Sequence, residues 1–148
     1  MDHRKKAAEL FEGGYNCAQA VASAFADVTG FDPQMSAKMV SGFGGGMGRM
    51  REVCGAVSGM FFVLSTLYGY DKPDPEAQKE TYTKVQALGK KFRQEAGSII
   101  CRELLKNPET GPKPTPRSAE FYATRPCTHM VMLAASLLDE FIEANPTD

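Results

Sequence analysis

The spacing of apolar residues along the chain predicts helix almost throughout. Residues 5–11 make a short first helix, ended by Gly13 and Gly14. A second is expected over 17–28, with Ala20, Val21, Ala24 and Phe25 as its apolar stripe and Gly30 as its stop. Asn16 suits its N-cap, because an Asn side chain accepts from an orphan N–H of the first turn. Asp32-Pro33 and Asp74-Pro75 each read as a helix start: the carboxylate caps, and the proline that follows has no N–H to leave unpaired. The first of these helices reaches about Val40 and the second about Ala96, the latter with Tyr82, Val85, Leu88 and Phe92 as its buried stripe. Residues 53–68 are apolar on all sides apart from small residues, so they should form the central helix. After the break at Gly97-Ser98 come a short helix over 100–105 and an irregular, proline-rich loop over 107–117. A final helix runs from near Cys127 to just before Pro146, with the stripe Met130, Leu133, Ala134, Leu137 and Phe141. No stretch alternates with period two and no internal repeat is evident. The expected fold is all-α, a compact bundle of five to seven helices.

At 148 residues the chain has the size of one domain, here residues 1–148. Hydrophobic residues make up 43% and charged ones 24%, which excludes a disordered chain. Seventeen Lys and Arg against eighteen Asp and Glu leave no general attraction for nucleic acid or anionic lipid. Residues 1–12 are a charged helical pattern rather than a secretory signal, and the apolar run 53–68 is short for a membrane span of about 20 residues. The expected location is therefore cytoplasmic, with no membrane insertion. In a reducing compartment, cysteines point to metal or redox chemistry rather than to structural disulfides. The apolar central helix and the two long stripes also favour a homodimer.

The four cysteines are Cys17, Cys54, Cys101 and Cys127, separated by 37, 47 and 26 residues. No two form a CxxC pair, which excludes a zinc ribbon or a local thioredoxin-type motif. Each nevertheless falls in the first turn of an expected helix. A helix N-terminus carries unpaired N–H groups and partial positive charge, which favour thiolate, the form that attacks disulfides and binds metals. Four such ends meeting at one end of a bundle would build a sulfur site from distant segments. The competing reading is that each Cys is a small buried hydrophobe.

In 54–59 (CGAVSG), Gly55, Ala56 and Gly59 are small residues beside Cys54. They allow either a cofactor or another helix backbone to come close. The preceding glycine-rich stretch, 42–48, is expected to be a flexible loop. It lacks the Lys-Ser/Thr of a P-loop and no strand precedes it, so nucleotide binding is not expected. Arg49 and Arg51 could receive an anion or stabilise a thiolate, although solvated loop arginines are the simpler expectation. His129 is a candidate ligand or base, more simply a surface or core residue, and His3 is expected at the terminal surface. Met47, Met50 and Met60 could offer thioether ligands, but core packing is the default. Ser58 lacks the His and Asp of a nucleophilic set.

With these residues in view, the chain resembles the small redox-active proteins grouped as the C_GCAxxG_C_C family, which carry four characteristic cysteines. Cys17 matches the first in its Gly-Tyr-Asn-Cys-Ala context, Cys54 lies in the CGAxxG motif, and Cys101 and Cys127 match the third and fourth. The resemblance implies redox activity through these cysteines, without a reaction or a substrate. The reading adopted is a cytoplasmic thiol–disulfide protein working with an unidentified protein or small-thiol partner. In it Cys54 attacks, aided by its helix terminus and Arg51, Cys17 resolves, and Cys101 and Cys127 form a second pair or a support. An iron–sulfur cluster or a zinc ion bound by the same four Cys is the alternative, and a non-catalytic helical adaptor the third.

Overall fold

The structure is a computed structural model that describes residues 2–106 and 108–147; Met1, Asn107 and Asp148 lie outside them. It is all-α. The helical segments are α1 (His3–Glu12), α2 (Cys17–Ala24), α3 (Ala26–Thr29), α4 (Pro33–Met39), α5 (Gly44–Met47), α6 (Gly55–Tyr68), α7 (Pro75–Ala96), α8 (Cys101–Leu105), α9 (Ala119–Thr124) and α10 (Cys127–Ala144). The five-to-seven expectation is thus exceeded, because short helices of four to seven residues add to the longer ones. The expected helix over 17–28 breaks at Phe25 into α2 and α3. A turn appears within the glycine stretch, and α9 follows the proline-rich loop. No described helix is long and apolar enough to cross a membrane.

Local chemistry sets the helix starts. Asn16 accepts from Gln19 N–H while the Gln19 side chain accepts from Asn16 N–H, a reciprocal cap that opens α2. Asp32 and Asp74 cap α4 and α7, each followed by proline in the first turn. Ser118 caps α9 by accepting from Phe121 N–H. The loop before it is irregular from 108 onward.

Two helices share the centre. α2 is buried along almost its whole length, and α6 buries Gly55 to Met60, Val63 and Leu64. α10 packs on α1, α2 and α6, and α7 closes the far side against α6 and α10. The apolar length of α6 is largely covered within one chain. On α7 the buried line is Thr81, Leu88 and Phe92; Tyr82 is 52% exposed, so the expected stripe was off by one residue at its start. His3 is also corrected: it is 8% exposed, not superficial. Its ring stacks on Phe25 with centroids 4.0 Å apart. Nδ1 lies 2.7 Å from Asp139 and Nε2 2.9 Å from Asp27, which ties α1 to α10 and α3.

Candidate functional site

Four separate local structures deliver the four cysteines. Cys17 is the first residue of α2, behind the Asn16 cap. Cys127 is the first residue of α10, after Pro126. Cys54 and Cys101 are joined by a two-residue antiparallel contact between Val53 and Ile100. In it Cys54 N–H donates to Ile99 O at 2.8 Å and Cys101 N–H to Glu52 O at 2.6 Å. Each cysteine therefore sits at a helix start, Cys54 as the N-cap of α6 and Cys101 as the first residue of α8.

The glycine stretch, expected to be flexible, is an ordered left-handed turn. Gly45, Gly46, Met47, Gly48 and Arg49 run consecutively with φ between 59° and 70°. The turn is closed by Arg51 N–H to Gly45 O and Glu52 N–H to Gly46 O, at 3.3 and 2.8 Å. L-residues pay roughly 1–2 kcal/mol each in this region, and glycine escapes that cost. Arg51 also has positive φ, so three non-glycine residues are held in this conformation beside the cysteines. Strain of this kind concentrates at functional sites. Gly46 is needed twice over, since a Cβ there would stand 2.6 Å from Cys101 Cβ.

All four cysteines line one small cavity of about 30 Å³, together with Gly46 and Arg51. It has room for one or two waters. The four cysteines expected to share a site thus border one cavity. Cys17 and Cys127 also face a second, outer cleft of about 440 Å³, which Cys54 and Cys101 do not reach.

The four thiols differ in electrostatics. Cys127 is lowered from 9 to about 7, chiefly because the Cys17 thiol donates to its sulfur; burial opposes this, and Arg125, Arg117 and Arg51 help. The same hydrogen bond holds the Cys17 proton on, so Cys17 is raised well above the ordinary range, with burial adding to it. Cys54, expected to be the activated thiol, is pushed up to about 12 by burial, which outweighs the N–H groups of Ala56 and Val57. Cys101 is raised by burial against the pull of Arg51.

Arg51 is 4% exposed and not a solvated loop residue. Its Nε donates to Glu109 O at 2.8 Å and its Nη1 to Cys101 Sγ at 3.7 Å. Arg49 donates to Thr110 O, Gly111 O and Thr115 Oγ1. Arg117 and Arg125, which the sequence reading passed over, join them on the outer cleft. Their only sequence signal was a pair of arginines on either side of α9, close before Cys127.

The small residues serve packing. A Cβ on Gly55 would lie 3.1 Å from Cys17 Cβ, and one on Gly59 2.8 Å from Ala18 O. The room they leave is taken by α2, although Gly55 also borders the inner cavity. Ala56 is fully buried. His129 is exposed and lies away from both cavities. Met60 is core, whereas Met50 is 64% exposed and so departs from the packing expectation. Met47 is half-buried in the left-handed turn, and the thioether on the inner cavity is that of Met130. Ser58 Oγ reaches only Cys54 O, at 3.4 Å. Among the described residues no group of three or more His, Cys, Asp or Glu side chains could hold a metal ion.

No curated protein and no solved structure matches the chain. A family model described as "Putative redox-active protein (C_GCAxxG_C_C)" matches residues 15–141, which include all four cysteines and the whole lining of the inner cavity. The left-handed glycine turn, the CGAxxG helix start and the cysteines they bring together lie within that match, and the chain belongs to the C_GCAxxG_C_C family.

Proposed function

We propose that this protein carries out thiol–disulfide exchange, with Cys127 as the attacking sulfur and Cys17 as its resolving partner. The observation that carries the reading is the position of this pair. Both residues line the inner cavity, and of the four cysteines only they also line the outer cleft. A substrate disulfide entering from solvent meets them first. This assignment moves the attacking role from Cys54, whose burial keeps its proton on, to Cys127.

In the first step the Cys127 thiolate attacks one sulfur of the disulfide R–S–S–R. The S–S bond breaks, a mixed disulfide forms on Cys127 and RS⁻ leaves. Cys17 then gives up its proton, which passes to the released thiolate, and attacks Cys127 Sγ. A Cys17–Cys127 disulfide forms and the second RS⁻ leaves, taking a proton from solvent. Two electrons pass from the protein to the substrate, and an external thiol reductant restores the pair. A reducing compartment such as the cytoplasm suits such a cycle. Cys54 and Cys101 form the inner wall as neutral thiols.

Oxidation of the reduced protein with one equivalent of a neutral disulfide, followed by peptide mapping, tests the assignment. The expected product has a Cys17–Cys127 link and has lost two of its four thiols. A link that includes Cys54, or exchange that survives Cys127→Ser, would overturn it.

A further inference from the structure

The outer cleft has a chemistry of its own. Arg49, Arg51, Arg117 and Arg125 all line it, in a protein whose formal net charge is -1. Their hydrogen bonds go mostly to neutral acceptors. Arg51 is held by Glu109 O, and Arg49 by Thr110 O and Gly111 O. Arg117 donates to Phe11 O and Tyr15 O at 2.8 Å each. Arg117 also lies over the Phe11 ring at 4.3 Å, and Arg125 over Phe121 at 5.1 Å. Among the described residues none of Arg51, Arg117 and Arg125 pairs with a carboxylate. Arg49 meets one only at 3.9 Å, on the 91% exposed Glu109 side chain. Among the described residues no Asp or Glu lines the cleft.

The guanidinium groups are thus oriented by neutral partners, and among the described residues the one carboxylate that meets any of them is Glu109, at 3.9 Å from Arg49. Backbone carbonyls and aromatic faces orient arginine without neutralising it, which is how a preorganised anion site is built. A cleft of about 440 Å³ suits a small molecule rather than a protein surface. The sulfurs of Cys17 and Cys127 form part of its lining.

We infer that this cleft selects a small anionic disulfide, one that carries a carboxylate on each half, and presents its S–S bond to the Cys17–Cys127 pair. The inference rests on the exchange reading above and adds the substrate class. The carboxylates are held by the arginines that line the cleft. Reduction follows the two steps already written, and two carboxylate thiols leave.

Three disulfides of nearly equal size separate the charge from the chemistry. They are 3,3′-dithiodipropionate, which is anionic, bis(2-hydroxyethyl) disulfide, which is neutral, and cystamine, which is cationic. Each rate of exchange with the reduced protein is divided by the rate of the same disulfide with a simple thiol, which removes intrinsic reactivity. The expected order is anionic, neutral, cationic, with anionic over neutral by about tenfold at low ionic strength. That preference should collapse near 1 M salt, where the screening length falls to about 3 Å. Arg125→Gln and Arg49→Gln should each lower the anionic-to-neutral ratio several-fold, and Arg125→Lys should keep most of it. The ratio is the proper readout, because Arg125 also acts on Cys127 and would change all three rates together. Equal normalised rates for the three disulfides, or an unchanged ratio in both Gln variants, would overturn the anionic site while leaving exchange intact. Absence of exchange with every disulfide would instead overturn the exchange reading on which the inference stands.

Discussion

Replacing Cys17 by Ala removes the hydrogen bond that does most to hold Cys127 near pKa 7. The burial that opposes ionisation remains, so the Cys127 titration should climb back toward 9. At pH 7 a thiol with pKa about 7 is about half ionised, and one with pKa about 9 about 1% ionised, a ratio of about fifty. The less basic thiolate is also a weaker nucleophile, by about eightfold over that interval, so reactivity at neutral pH should fall only about sixfold. The pH profile is therefore a sharper measure than a single rate. Alkylation by a neutral reagent, read at the Cys127 peptide from pH 5 to 10, gives the midpoint directly. Wild type should show it near 7 and Cys17→Ala well above, toward 9. Cys17→Ser keeps an O–H donor at the same place and should keep the midpoint low. A Cys17→Ala midpoint equal to that of wild type would refute the thiol hydrogen bond as the cause. A Ser variant shifted as far as the Ala variant would show that packing, not donation, sets the value.

Alkaline stability follows from the other thiols. The unfolded Cys54 thiol ionises near 9 and the folded one near 12, so the unfolded state loses its proton first and stability should fall across that interval. Cys127 works the other way, adding stability as pH rises from about 7 to 9, because there the folded state releases its proton first. Urea midpoints against pH should show the alkaline fall flattened in Cys54→Ala; an unchanged slope would refute the burial argument. Gly46→Ala places a Cβ 2.6 Å from Cys101 Cβ at φ +70°, and should destabilise by about 2–5 kcal/mol from strain and overpacking together. A urea midpoint within error of wild type would count against the close approach. His3→Ala leaves Asp27 and Asp139 without their shared partner and should cost about 1–3 kcal/mol, again by urea unfolding. Anaerobically purified protein should be colourless, with four thiols titrating after denaturation; stoichiometric iron or zinc, lost together with the fold on chelation, would restore the metal reading.

What could be read from the chain was what local chemistry decides. Asn16, Asp32-Pro33 and Asp74-Pro75 act within one helical turn, and the helices begin where those residues stand. The placement of each cysteine at a helix start followed from the same caps and breaks. What escaped depends on distant partners. Arg51 looks like a polar loop residue until Glu109 O, 58 residues away, accepts from it and Cys101 closes over it. His3 looks terminal until α10 brings Asp139 to its ring. Phe25 carries no sign of a helix break, yet α2 gives way to α3 there and His3 stacks on it. Tyr82 entered the expected stripe because an aromatic outweighed its neighbour, and Thr81 turned inward instead. Ser118 caps α9 directly after the proline-rich loop, where no apolar stripe marks a helix.

The CGAxxG motif draws the eye to Cys54, and the structure explains why the most conspicuous cysteine need not be the one that reacts. Gly55 and Gly59 lack the side chains that would hold α2 away, so the backbone around Ala18 settles directly on α6. That contact brings the first residue of α2, Cys17, to the first turn of α6. The cost falls on Cys54: the packing that positions Cys17 also removes Cys54 from water and raises its pKa. Cys127 is lowered instead, chiefly by the Cys17 thiol with Arg125, Arg117 and Arg51 helping, and it also lines the outer cleft. On the proposed assignment the glycines of the motif position, Cys17 tunes, and the attacking sulfur lies 73 residues beyond Cys54. A motif marks where the chain must come close; electrostatics and access decide which thiol in that place is ionised and reachable.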